Sequence, residues 1–387
     1  MNAPVWLDAW LARHGEELIA LRRDIHAHPE LARSETRTTG LLEDRLRAAG
    51  LTPRRLPGGT GLLCDVGTSG ALVALRADID ALPLTDAKDV PYRSTVDGVC
   101  HACGHDVHTS VLLGAALACA HAPDLPGRIR FIFQPAEEVI PGGALDVIAA
   151  GGLAEVSRIF ALHCDPRLPV GRVGIRTGPI TAASDRIEVV LSGPGGHTSR
   201  PHLTVDVVHA LGRVICEVPG LLSRLVDPRA GMSLVWGAVN SGTAFNVIPQ
   251  HGTVRGTVRV LDRDAWHDAE KVICRLVEEV TAPSGATVEV NYVRGLPPVV
   301  NEAVSTSLLR DGIVTGLGPE ALSDTPQSMG GEDFGWYLDS VPGALARLGV
   351  NGGVTPYDLH QGGFDVDEAA IGVGVRVLVS TALAALR

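Results

Sequence analysis

Apolar residues recur at helical spacing over residues 5–28, where Trp6, Trp10, Leu11, Leu18, Leu21 and Ile25 fall on one face. Pro29 ends that helix, because the residue before a proline is pushed out of the α region. A second helix is predicted over 36–49, closed by Gly50 in a left-handed position. Three short apolar runs follow, at 71–77, 130–134 and 158–163. Such runs suit strands buried on both faces. The Ala- and Leu-rich stretch 109–120, between the first two runs, reads as a helix. Strands alternating with helices predict a parallel or mixed sheet with helices on both faces, an α/β fold.

The pattern changes near Thr181. Alternation predicts strands at 186–191, 232–240, 252–259 and 287–293, and helical spacing predicts helices at 204–225 and 263–282. The order β-α-β-β-α-β is ferredoxin-like, with two helices on one sheet face. Gly295-Leu296-Pro297-Pro298 marks a return linker, and the chain closes on a helix over 368–386. The chain therefore divides into an α/β domain in two segments, 1–181 and 296–387, and an inserted α+β domain, 182–295.

Charge narrows the class. The chain has 33 Lys and Arg against 44 Asp and Glu, a net charge of −11. Nucleic acids and anionic membranes need a basic surface, so neither is an expected partner. No apolar run reaches the length of a membrane span. The opening residues, Met1 to Asp8, lack the basic region and apolar stretch of a secretory signal. Seven scattered cysteines fit a reducing compartment better than a disulfide framework, so a cytoplasmic enzyme is expected.

Candidate chemistry concentrates in a few places. His101-Ala102-Cys103-Gly104-His105-Asp106-Val107-His108 packs one thiol and three imidazoles directly before a helix. A lone histidine is usually structural, but this density is a zinc-type donor set. A nearby helix N-terminus also favours a thiolate. Glu137 and Glu138 follow the strand at 130–134, at the carboxyl end where open α/β sheets place their sites. On extended chain they point to opposite sides, so one can bind a metal while its neighbour serves as base. His163, Asp78, Asp80 and His360 also stand at expected strand ends. A carboxylate at 78 or 80 can support a ligand histidine. In the inserted domain, Gly-rich turns and strand ends present His197, Asn246 and Arg259.

Eight ordered motifs then look familiar. They are His-Ala-His-Pro-Glu (26–30), Arg-Ala-Asp-Ile-Asp-Ala-Leu-Pro (76–83), His-Ala-Cys-Gly-His-Asp-Val-His (101–108) and Gln-Pro-Ala-Glu-Glu (134–138). Gly-Gly-His-Thr-Ser-Arg-Pro-His (195–202), Asn-Val-Ile-Pro (246–249), Gly-Gly-Glu-Asp-Phe (330–334) and Leu-His-Gln (359–361) complete them. Together they resemble the amidohydrolase branch of the aminoacylase and glutamate-carboxypeptidase metallopeptidase family, over nearly the whole chain. The resemblance implies a two-metal catalytic domain with an inserted lid that also forms a homodimer. It implies Cys103, His105, Glu138, His163 and His360 as metal ligands, with Cys103 bridging. Glu137 would be the general base, Asp80 the acid supporting a ligand, and His197 an oxyanion donor. Asn246 and Arg259 would hold the substrate carboxylate. The cofactors implied are two divalent ions, zinc or manganese first, with cobalt and nickel compatible. Val139-Ile140-Pro141 replaces a glycine run found in many relatives, in a segment that borders the acyl pocket.

The reaction implied is hydrolysis of an N-acyl amino acid to a carboxylic acid and a free amino acid. Two alternatives stay open: a dipeptidase of the same fold, and a non-catalytic metal- or partner-binding protein on this scaffold.

Overall fold

A computed structural model describes residues 4–353 and 357–387. Met1, Asn2 and Ala3 of the opening stretch read above lie outside the described residues. The chain forms two compact units. One comprises the residues up to Gly178, Asn301–Pro326 and Asp333–Arg387, and the other Pro179–Val300 with Gln327–Glu332.

The first unit is built on a sheet of eight strands. In chain order these are β1 (Arg54–Arg55), β2 (Leu62–Val66), β3 (Leu72–Asp78), β4 (Arg128–Gln134), β5 (Val156–Pro169), β6 (Val173–Ile175), β7 (Leu322–Asp324) and β8 (Gly343–Asn351). Their spatial order is β1-β2-β4-β3-β5-β8-β6-β7. The centre, β4-β3-β5-β8, is parallel, while β2 joins β4 and β6 joins β8 antiparallel, so the sheet is mixed. Every residue of β3 is buried, the apolar run 72–75 and the charged Arg76 and Asp78 alike. Helix α1 (Val5–Ala27) buries Leu7, Trp10, Leu11, Leu18, Leu21 and Ile25 in the same core. Helix α2 (Thr36–Ala48) follows it. Helix α3 (His105–Ala120) is buried almost throughout and therefore has no polar face.

Three local features differ from expectation, and each bears on the site. Helix α3 begins at His105, not Thr109, because Gly104 turns the chain with φ 84° immediately before it. His105 and His108 thus lie on the helix. Strand β5 runs past His163 to Pro169, since β8 pairs along it as far as Asn351↔Pro169. Glu137 and Glu138 lie beyond the end of the strand. Strand β4 ends at Gln134, and Ala136 has φ 56°. That conformation is held where the Ala136 N–H donates to the buried Glu35 carboxylate at 2.7 Å.

The second unit has a four-stranded antiparallel sheet in the order Ser233–Ser241, His251–Val260, Ala183–Ser192, Thr287–Leu296. Helices Val207–Leu225 and Arg263–Thr281 bury Leu211, Val214, Val218, Trp266, Ile273 and Val277. Residues of Ala183–Ser192 alternate strictly between buried and partly exposed, as a sheet covered on one face requires. Asp185 is fully buried there and accepts from Trp266 Nε1 (2.9 Å), Tyr292 Oη (2.6 Å) and the Gly295 N–H (2.8 Å). A two-strand ribbon, Gly196–His197 with Val247–Ile248, projects two of the predicted loops side by side.

Candidate active site

In the first unit, the connection from β3 to α3 brings Cys103 and His105 to the carboxyl end of the sheet. The segment after β4 brings Glu137 and Glu138, β5 brings His163, and the loop after β8 brings His360. The donor atoms of Cys103, His105 and His163 lie within 4.8 Å of one another, as do those of Cys103, Glu138 and His360. Cys103 belongs to both groups. Its Sγ is 3.5 Å from His163 Nε2. Glu138 Oε1 is 3.4 Å from His360 Nε2 and 3.8 Å from His105 Nε2. Glu137 is buried, and its carboxylate groups with His105 and Glu138 in the same way.

Hydrogen bonds fix which imidazole nitrogen faces the cluster. His105 Nδ1 donates to the Asp80 carbonyl oxygen at 2.9 Å, and His163 Nδ1 to the Cys164 carbonyl at 2.8 Å. A carbonyl only accepts, so each Nδ1 carries a proton and each Nε2 is turned toward Cys103. Asp80 supports two candidate ligands at once. Its Oδ1 is 3.3 Å from His105 Nδ1, and its Oδ2 accepts the Glu138 N–H at 3.0 Å. His360 sits at φ 61°, its N–H donating to the Ala102 carbonyl at 2.8 Å.

The residues present fit metal ions. His105 Nε2 and Glu138 Oε1 are buried without a hydrogen-bond partner, a costly state that a cation relieves. A thiol, imidazoles and a carboxylate form a borderline-soft set suited to zinc and its neighbours. Without a cation, burial first and Glu138 next push the Cys103 thiol far up. The nearby helix N-terminus therefore does not suffice to ionise it. Burial disfavours charge on His105, but Asp78 and Cys103 outweigh it and hold the imidazole far above its ordinary value. Burial, reinforced by Arg347, keeps His163 well below its ordinary value and so neutral.

His197, Asn246 and Arg259 lie in the second unit. On the ribbon, the Thr198 N–H donates to the Asn246 carbonyl at 3.2 Å, which ties the His197 and Asn246 loops together. The Ser199 N–H donates to His197 Nδ1 at 3.1 Å, with Ser199 Oγ 2.8 Å away. A backbone N–H can only donate, so His197 carries its proton on Nε2. Arg259 stands near the end of His251–Val260, paired in register with Ser184 and Ser233, and is partly buried.

Several residues that support the site were not singled out from the sequence. Arg76 donates to Gln134, Asp78 and Asp333 at 2.7–2.8 Å, and Gln134 in turn accepts from Tyr337 Oη. On the other side, Arg22 and His26 bind Asp106, next to His105, at 2.6 and 2.7 Å. Charged groups inside otherwise apolar runs were the available signal.

A family model described as peptidase family M20/M25/M40 matches residues 74–384. The chain belongs to that family. This M20 chain is a metal-dependent amide hydrolase of the amidohydrolase branch. It is 49% identical over 367 residues to a Rhodococcus jostii protein named putative glutamate–cysteine ligase 2-3. That match takes in 94% of this chain but 46% of the relative, so the chain spans about half its length. It is 37% identical over 359 residues to N-acetyl-L-cysteine deacetylase of Bacillus subtilis, covering 92% of this chain and 85% of that one. A solved dinuclear metal-binding M20 peptidase from Bacillus subtilis has a TM-score of 0.85 at 34% identity, covering 98% of this chain and 99% of that one. Among the described residues, no helix is long and apolar enough to cross a membrane.

Proposed function

We propose that this M20 hydrolase cleaves the amide bond of N-acyl amino acids, releasing a carboxylic acid and a free amino acid. The observation that carries the reading is a thiol shared by two three-donor groups, with a second, adjacent carboxylate, Glu137, beside them. The similarity to a protein named as an N-acetylcysteine deacetylase supports the same substrate class. Cys103, His105 and His163 would hold one ion, and Cys103, Glu138 and His360 the other. The donor set favours zinc, with manganese next and cobalt or nickel compatible. When bound, the two cations supply Lewis acidity toward water and the amide carbonyl.

The chain's own residues do the rest. Glu137 takes the proton of the attacking water on its carboxylate and returns it to the nitrogen of the departing amine. Asp80 keeps His105 and the Glu138 backbone in place. His197 donates its Nε2–H to the developing oxyanion, the tautomer that Ser199 supports. Arg259 grips the substrate α-carboxylate through two parallel hydrogen bonds, aided by the Asn246 amide. The assembly is a homodimer in which the second unit of one subunit serves the metal centre of the other. Seven free cysteines suit a cytoplasmic setting.

The test is a substrate panel of acetyl, benzoyl, indole-acetyl and long-chain acyl amino acids beside dipeptides, with metal content measured on the same sample. Hydrolysis of acyl amino acids ahead of dipeptides is expected. Cleavage of dipeptides alone by the metal-loaded protein would overturn the reading. For the dimer, mixing inactive His197→Ala and Glu137→Ala proteins should restore activity as subunits exchange, and no recovery after verified exchange refutes it.

A further inference from the structure

His108 is the third histidine of the 101–108 motif, and its ring lies among the candidate ligands. Its centroid is 5.4 Å from that of His105 and 5.0 Å from that of His163. Its donor atoms also group with those of Asp78 and His105 closely enough for a cation. Proximity alone would make it a sixth ligand. Its hydrogen bonds give it another role.

His108 Nε2 accepts the backbone N–H of Cys164 at 2.8 Å. That N–H can only donate, so the Nε2 lone pair is already used. The ring proton is therefore on Nδ1, which donates to Asp78 Oδ1 at 2.6 Å. Both nitrogens are committed, and the side chain is buried. The same residue's carbonyl, in the next peptide unit, accepts from His163 Nδ1. A continuous buried line thus runs from Asp78 through His108 and the backbone on either side of the Cys164 Cα to His163. Its far end is His163 Nε2, beside Cys103 Sγ. Asp78 is itself held by Arg76 Nη1 at 2.7 Å.

The sheet explains why an imidazole is needed there. Strand β3 pairs with β5 only as far as Arg76↔Ala161. Beyond that point β5 continues on the β8 side alone, and the Cys164 N–H faces an edge that β3 no longer fills. A buried, unpaired N–H costs about as much as a lost hydrogen bond. Helix α3 passes this edge and supplies the acceptor from one turn inside its N-terminus.

We infer that His108 is a positioning residue for the metal centre: it fixes the backbone of Cys164 and, through that residue's carbonyl, the ring of His163, without binding metal itself. The inference rests on the proposed metal centre but not on the substrate. Its readouts are metal affinity and ring protonation, so absence of acyl-amino-acid hydrolysis would fall on the functional reading alone.

Stepwise zinc affinities should be measured by chelator competition on the full chain, for the native protein, His108→Phe and His108→Gln. Groups that orient a metal-bound histidine are worth roughly 10–100-fold in affinity. His108→Phe should lose that much for one ion, the one on the His163 group, and far less for the other. His108→Gln, whose amide oxygen can accept the Cys164 N–H, should recover part of the loss. Unchanged affinities, or equal weakening of both ions, would overturn the inference. Nitrogen-15 NMR of the histidine-labelled native chain gives a second measurement that needs no variant to fold. His108 should keep a protonated Nδ1 and an unprotonated Nε2 before and after zinc is added. A metal-induced shift of either His108 nitrogen of the size seen for His163 refutes the assignment.

Discussion

Gly104 offers a sharp test of how the ligand loop is held. It adopts φ 84° directly before α3, and a Cβ built on it would lie 2.8 Å from Cys164 Sγ and 3.0 Å from Cys164 Cβ. Gly104→Ala therefore meets two penalties. A left-handed alanine costs about 1–2 kcal/mol. Forcing a methyl into a packed wall adds about 1–3 kcal/mol. The sum is about 2–5 kcal/mol. Gly50 separates the two. It has φ 80° in the same unit, with nothing within 4 Å of its virtual Cβ, so Gly50→Ala should show the backbone cost alone, about 1–2 kcal/mol. Urea denaturation of both variants against the native chain reads the difference. Because the wall that Gly104→Ala presses on is Cys164, whose carbonyl orients His163, zinc affinity should fall in that variant and stay native in Gly50→Ala. Equal destabilisation by both substitutions, or native zinc affinity in Gly104→Ala, would refute the reasoning.

Glu137→Ala should lose at least ~10²-fold in kcat while keeping its metal, measured by steady-state kinetics and metal analysis; loss of the metal would make Glu137 a ligand instead. Since burial pushes the Cys103 thiol up and zinc binds the thiolate, zinc loading at neutral pH should release protons and tighten as pH rises. Calorimetry in buffers of different ionisation enthalpy counts those protons, and Cys103→Ser should release fewer. Burial works against the Glu302 carboxylate, but hydrogen bonds from Ser305 and Val304 and the charge of Arg158 outweigh it and hold it at about 2, against an ordinary 4.5. Its folded value is depressed, so its stabilisation is complete above pH 4.5 and fades as pH falls toward about 2. Denaturation curves of Glu302→Gln should be flatter over that window. Arg259→Lys should raise KM for substrates with a free α-carboxylate and leave the corresponding amides almost unaffected, a comparison made by parallel kinetics on both series.

Much of this was readable before any coordinates. The apolar face of α1 and the two helices of the second unit follow from spacing alone, because each buries one stripe. The donor cluster at 101–108 stood out by density. What the sequence hid depends on single backbone states and on distant partners. Nothing in the Ala-rich run shows that Gly104 starts the helix four residues early and so places His105 and His108 on its first turn. Glu137 and Glu138 were read as extended chain, but strand β4 stops at Gln134 and Ala136 turns at φ 56°, its N–H bonded to Glu35 about a hundred residues away. His163 was placed at a strand end. Strand β8, far along the chain, extends the pairing past it. His105 and His108 are the same residue type on one helix, and only the partners of their nitrogens tell them apart.

The position of β8 has a consequence for how the molecule comes to exist. Residues 343–351 fill the slot between β5 and β6, strands made far earlier in synthesis. Until they emerge from the ribosome, the largest sheet has a gap in its interior, with apolar edges of β5 and β6 open on either side. The four-stranded sheet of the second unit is complete by Leu296 and can close first. Translation at ~5–20 residues per second leaves an interval of several seconds between these events. Pairing this distant in sequence is intrinsically slow, and open strand edges invite aggregation. The nascent first segment should therefore occupy chaperones until its last strand arrives. His360 follows that strand by nine residues, so the donor cluster cannot be complete until after β8 has been made.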